Sequence, residues 1–189
     1  MMAAALLLAA LGLRPWLEAS MATHMLLQLP AIAVAGWLLG KRVGTRLAWC
    51  DVQGLSSLAI VMLVSAYWMV PRVLEASVGG ALMETAKFAS VLLAGMLLQI
   101  GLARANRIVQ IFFLGNWCAM TAIAGMLYQE QPRQLCNVYT VADQVIAGIG
   151  LVSLACAAAL AWCVQHHRVL LDIEPDYYSS AAAGPKNSK

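Results

Sequence analysis

An all-α, polytopic transmembrane helical bundle of about six helices is the fold class this sequence predicts, and three observations predict it. Of 189 residues, 62% are hydrophobic and only 11% charged. A soluble domain keeps its surface wet with roughly 25% charged residues. The apolar residues also fall into six runs, most of them near the length of about 20 residues that crosses a bilayer once. Finally, short polar turns separate the runs, with no long hydrophilic stretch between them.

The first run is Met1–Leu13, continuing toward Pro15 and Trp16, where an aromatic ring suits the membrane interface. It lacks the basic flank of a secretory signal peptide, so it is read as a helix, the shortest of the six. Met21–Gly40 is the second. Pro30 inside it predicts a kink, not an end, because neighbouring helices can satisfy the carbonyl that proline frees. Gln53–Val70 is the third, closed by Pro71, and Gly80–Ala103, Arg107–Tyr128 and Val141–Val164 complete the set. Residues 1–168 form the transmembrane domain, and residues 169–189 are expected to be a polar, solvated and flexible C-terminal tail.

Positive charge sets the orientation. Six spans gather Lys41, Arg42, Arg46, Arg104, Arg107, Arg168, Lys186 and Lys189 on one side, against Arg14, Arg72 and Arg133 on the other, with Lys87 inside a helix. The cytoplasm takes the excess, so both termini and the tail are expected to be cytoplasmic. A net formal charge of +3, with no basic patch interleaved with aromatics, argues against a nucleic-acid partner. Cys50, Cys118, Cys136, Cys156 and Cys163 contain no CxxC pair, so neither a disulfide framework nor a zinc site is expected.

This topology collects polar residues toward the outer leaflet. His24 and Gln28 open the second helix, Glu84 and Lys87 the fourth, Asp143 and Gln144 the sixth, with Met21, Met25 and Met69 nearby. Ionisable groups at membrane depth are costly and usually face a cavity or a partner. His24 and Gln28 stand four apart on one helix face, and Met21 continues the stripe. Imidazole with thioether suits copper, above all the cuprous ion. His24, Met25, Met21 and Met69 are therefore the candidate metal ligands, against the alternative that the methionines simply pack. Glu84 and Lys87, three apart, are expected to form an internal ion pair or to line an ion path. A carboxylate at a helix N-terminus is favourable, which explains Asp143. His166 and His167 point to different helix faces and are read as interfacial.

The sequence holds no Walker loop, dinucleotide fingerprint, HExxH or nucleophile motif, so no enzymatic activity is expected. A haem held between two imidazoles needs facing histidines within the bilayer, and only His24 is placed to serve. No two-fold repeat of broken helices supports a secondary transporter.

Four stretches together carry a resemblance. They are Thr23-His24-Met25-Leu26-Leu27-Gln28 leading to Pro30 and Gly36; Trp68-Met69-Val70-Pro71-Arg72-Val73-Leu74-Glu75-Ala76; Met83-Glu84 through Phe88 to Gly95; and Asp143-Gln144 followed by Ala147-Gly148. In this order and spacing, from about Pro15 to Trp162, the chain resembles the CtaG family of membrane proteins associated with cytochrome c oxidase assembly. The resemblance implies a polytopic helical protein that helps deliver copper to an oxidase, with His24-Met25 and Asp143-Gln144 as signature pairs. The chain departs from the family where Gln28, Met69-Val70 and Thr85 stand in place of histidines, and in having six spans where seven are common.

Three functions are thus expected, in order. The first is a copper-related assembly or accessory factor for a cytochrome oxidase or other copper membrane enzyme. The second is a non-catalytic structural subunit of a larger membrane complex, whose small residues Gly79, Gly80, Gly95 and Gly148 permit close helix approach. The third is a small transporter using Glu84, Lys87 and Asp143. The expected partners are membrane lipids and other membrane protein subunits, in the inner (plasma) membrane of a bacterium.

Overall fold

The computed structural model describes residues 2–43, 51, 53–70, 73, 80–131 and 139–182, with side chains as far as residue 166. Seven helices are used below: α1 Met2–Gly12, α2 Arg14–Leu17, α3 Met21–Val43, α4 Leu55–Trp68, α5 Ala81–Arg104, α6 Arg107–Glu130 and α7 Val141–Ala182. Four are long and apolar enough to cross a membrane: α3, α5, α6 and the Val141–His166 part of α7. α1 and α4 are apolar but have only 11 and 14 residues. At 1.5 Å per residue they measure about 16 and 21 Å, short of a hydrocarbon core about 30 Å thick.

Apart from α2, which the sequence reading joined to the first helix, the helices begin within two residues of the expected starts. One end differs. The backbone of α7 continues to Ala182, beyond the start expected for a flexible tail at residue 169. A helix persists on local backbone hydrogen bonds, so the fall in hydropathy near Arg168 marks where apolar character stops, not where the helix does. Arg46, Cys50, Pro71, Arg72, Glu75, Gly79, Arg133, Cys136, Lys186 and Lys189 lie outside the described residues, as do the side chains of His167 and Arg168.

Local chemistry sets the helix ends. Ser20 caps α3, its hydroxyl accepting from the Ala22 amide at 3.2 Å. The Asp51 carboxylate accepts the Ser57 amide at 2.7 Å in the first turn of α4. Burial pushes that carboxyl up, but the hydrogen bonds from Ser57, Gly54 and Ser56 outweigh it and hold it below the usual carboxylate range. α5 and α6 join through a two-residue turn: Asn106 caps α6 by accepting from the Val109 amide at 2.9 Å. Gln110 then donates its side-chain amide to the Leu102 and Ala105 carbonyls at 3.0 and 3.1 Å, satisfying acceptors that the end of α5 leaves open. At α7, Thr140 and Asp143 form a reciprocal cap. The Thr140 hydroxyl accepts from the Asp143 amide at 3.2 Å and donates to Asp143 Oδ2 at 3.0 Å.

Within α3, His24–Gln28 forms a π-helical turn, closed by the Leu29 amide donating to the His24 carbonyl. The turn lies just before Pro30, which has no N–H and whose ring would press on the carbonyl four residues earlier. Widening the turn gives that ring room, and such π-turns recur at functional sites.

Glycine controls helix approach. α3 and α5 run parallel. A Cβ at Gly36 would collide with the Leu92 carbonyl, one at Gly95 with the Ala33 carbonyl, and one at Gly40 would lie 2.8 Å from the Met96 carbonyl. Gly36 and Gly40 form a GxxxG pair, the arrangement that lets membrane helices touch backbone to backbone. Gly125 and Gly148 do the same for α6 and α7, where a Cβ on either would meet the other's carbonyl at about 2.5–2.6 Å. The start of α3 packs on the α6–α7 pair through Met21 and Met25, against Tyr128, Tyr139, Ala147 and Leu151.

Candidate functional site: a buried polar chain at one end of the bundle

The close contact of α3 with α5 brings His24 and Lys87 face to face. His24 and Gln28 are fully buried, Lys87 is 1% exposed, and Glu84 is 9% exposed. The His24 Nδ1 lies 2.5 Å from Gln28 Oε1, and Lys87 Nζ lies 3.3 Å from His24 Nε2. Gln28 Nε2 donates to the Ala10 carbonyl at 3.1 Å. One proton arrangement fits all three contacts: Lys87 donates to Nε2, the Nδ1–H donates to Gln28 Oε1, and the Gln28 amide donates to the last turn of α1. That final bond supplies a partner for a helix-end carbonyl in an apolar setting.

A second branch carries charge. Glu84 pairs with Arg14 of α2, and Arg14 Nε reaches Glu18 at 3.0 Å. Four ionisable side chains, Arg14, Glu18, Glu84 and Lys87, therefore converge beside His24. The charges balance as two cations and two carboxylates, which is the condition under which buried ions are tolerated. Glu84 and Lys87, expected to pair on one helix face, instead reach across to other elements, Glu84 to Arg14 and Lys87 to His24.

Asp143 and Gln144 belong to a separate arrangement. Asp143 caps α7 with Thr140 and receives the Ser20 hydroxyl at 3.3 Å. Gln144 donates to the Tyr128 carbonyl at 2.9 Å, and the Tyr128 hydroxyl donates to the Met69 carbonyl at 2.7 Å. These bonds tie α4, α6 and α7 at the same end of the bundle. Tyr139 donates to the Glu18 carbonyl at 3.2 Å, which connects the two groups. Trp68, from the second stretch of the resemblance, donates its indole N–H to Ser90 at 2.8 Å, and Ser90 donates to the Lys87 carbonyl at 2.9 Å.

The candidate metal ligands are divided. Met21 packs into the apolar cluster on α6 and α7. Met25 and Met69 line a cavity of about 540 Å³ that runs between α3, α4 and α5 on one side and α6 and α7 on the other. Its walls are nearly all hydrocarbon, including Leu58, Val61, Trp117, Leu151 and Leu154. His24 does not line this cavity, and its two nitrogens are occupied by Gln28 and Lys87. Among the described residues no group of three or more His, Cys, Asp or Glu is placed to hold a metal ion. The donor set around His24 thus does not fit a resident copper ion, since an amine and an amide hold the positions a metal would need.

Sequence reasoning missed Glu18 and the role of Arg14. Their spacing of four was the available signal; their meeting with Glu84 was not, because it depends on how α2 folds over the ends of α3 and α5. His166, read as interfacial, stacks on Trp162 with ring centroids 4.4 Å apart. Compared with models of protein families, with curated proteins and with solved structures, the chain matches none.

Proposed function

We propose that this chain is an integral membrane accessory protein, a non-catalytic subunit of a larger membrane complex. The resemblance to CtaG-like proteins points to cytochrome oxidase assembly as its setting. The observation that carries the reading is the closed wiring of the buried polar chain. The ring nitrogens of His24 and the amide of Gln28 are each engaged within the protein, His24 Nδ1 with Gln28 on the same helix, His24 Nε2 with Lys87 of α5 and Gln28 Nε2 with Ala10 of α1, which is the arrangement of a structural brace. In this reading six helices enter the membrane of a bacterium, α1 and α4 as short ones, with both termini on the cytoplasmic side. Extraction of the native membrane in mild detergent should then recover the chain with defined partner subunits in fixed ratio. Recovery of the chain alone under all such conditions would overturn the assignment.

A copper-linked assembly role is kept as a second reading by one observation: Met25 and Met69 line one cavity. Cuprous ion favours thioether sulfur. Copper bound after purification should then fall in Met25→Leu and Met69→Leu, while His24→Ala leaves it unchanged. Equal, negligible copper in the wild type and both variants would remove this reading.

A further inference from the structure

Asn116 lies about 4 Å from the midpoint of the 24-residue α6, a helix apolar enough to span a membrane. It is exposed, on the side away from Thr121, Gly125 and Tyr128, the buried residues of α6. Its neighbours on that face include Phe112 and Ile123, 66% and 54% exposed. Among the described residues no side-chain hydrogen bond reaches the Asn116 amide. In water this would be unremarkable. In hydrocarbon an unpaired carboxamide costs free energy until a protein group satisfies it.

We propose that a second copy of this chain supplies that group. α6 packs on α6 about a two-fold axis along the membrane normal, and the two Asn116 amides hydrogen-bond each other. Two copies inserted the same way place Asn116 at the same depth, whereas an unrelated helix would need its own polar group there. A carboxamide both donates and accepts, so it is complementary to itself, as a two-fold contact requires. Backbone room is present: a Cβ at Gly115 would meet nothing within 4 Å, and Ala119, one turn further, is also exposed. From Ile108 to Met126 the helix carries no charged residue, so like charge does not oppose the contact. The pairing rests on α6 alone and stands or falls separately from the accessory role.

The test uses the full chain labelled at its N-terminus with donor or acceptor fluorophore and reconstituted in phosphatidylcholine–phosphatidylglycerol vesicles. Energy transfer between copies should appear and decline as lipid is added. Asn116→Leu should weaken association about fivefold to thirtyfold, the factor that matches one interhelical hydrogen bond of this kind. Asn116→Gln should retain most of it, and Gly115→Ile should remove it by blocking approach, each with helix content unchanged by circular dichroism. Three results would overturn the proposal: no transfer at any lipid ratio, equal transfer in wild type and Asn116→Leu, or Asn116-dependent capture of a different membrane chain without self-association.

Discussion

Lys87→Met is expected to destabilise the fold by about 3 kcal/mol, among the largest effects of any single substitution here. Lys87 is 1% exposed, and its Nζ lies 3.3 Å from His24 Nε2. Methionine fills similar space but donates nothing. The imidazole would keep a buried acceptor without its lysine donor, and, among the described residues, Glu84 and Glu18 would keep Arg14 as their paired cation. His24→Leu removes the acceptor and should recover part of the loss when combined with Lys87→Met. The double variant is expected to cost at least about 1 kcal/mol less than the sum of the two singles. Reversible unfolding in mixed detergent micelles measures all four proteins. Strict additivity would mean that His24 and Lys87 do not act together.

Gly95→Leu carries the second large effect. A side chain at Gly95 would run into the Ala33 carbonyl, and a backbone cannot swing aside as a side-chain tip can. α3 and α5 must separate, at a cost of about 3 kcal/mol or more, the upper end of what overpacking produces. Separation would also part His24 from Lys87, so the loss should exceed that of a steric clash elsewhere in the bundle. Gly80→Ala is the matched control, because a Cβ there meets nothing within 4 Å, and its effect should stay within about 0.5 kcal/mol. Thermal unfolding followed by circular dichroism separates the two outcomes. A Gly95→Leu protein as stable as Gly80→Ala would contradict the close α3–α5 contact.

Most of the fold was legible because hydropathy in a membrane chain is a strong signal with little competition. The starts of α3, α5, α6 and α7 follow from it directly. The length of α7 did not, since helix formation does not require apolar residues. The site was legible in part. His24 with Gln28, four apart, announced a shared face, and Asp143 announced a helix N-terminus. What lay beyond local spacing was choice of partner. Glu84 has Lys87 three residues away yet meets Arg14, and that selection depends on how α2 folds over the ends of α3 and α5, while the parallel packing of α3 on α5 gives Lys87 its contact with His24. The Gly36–Gly40 pair that enforces this packing was present in the sequence as a GxxxG.

The π-helical turn at His24–Gln28 sets the phase of α3. In an uninterrupted α-helix each residue turns about 100°, which would place His24 and Gly36 about 120° apart around the axis. The turn absorbs one extra residue, and the offset shrinks to about 20°. The residue that bonds Lys87 and the residue that seats α3 against α5 therefore look the same way. Chain length between Met21 and Pro30 is thus an angular setting. Removing the one extra residue after His24 would let a plain α-helix keep that offset of about 20°, whereas inserting one more residue there, with no second π-turn to absorb it, would swing the imidazole about 100° away from α5.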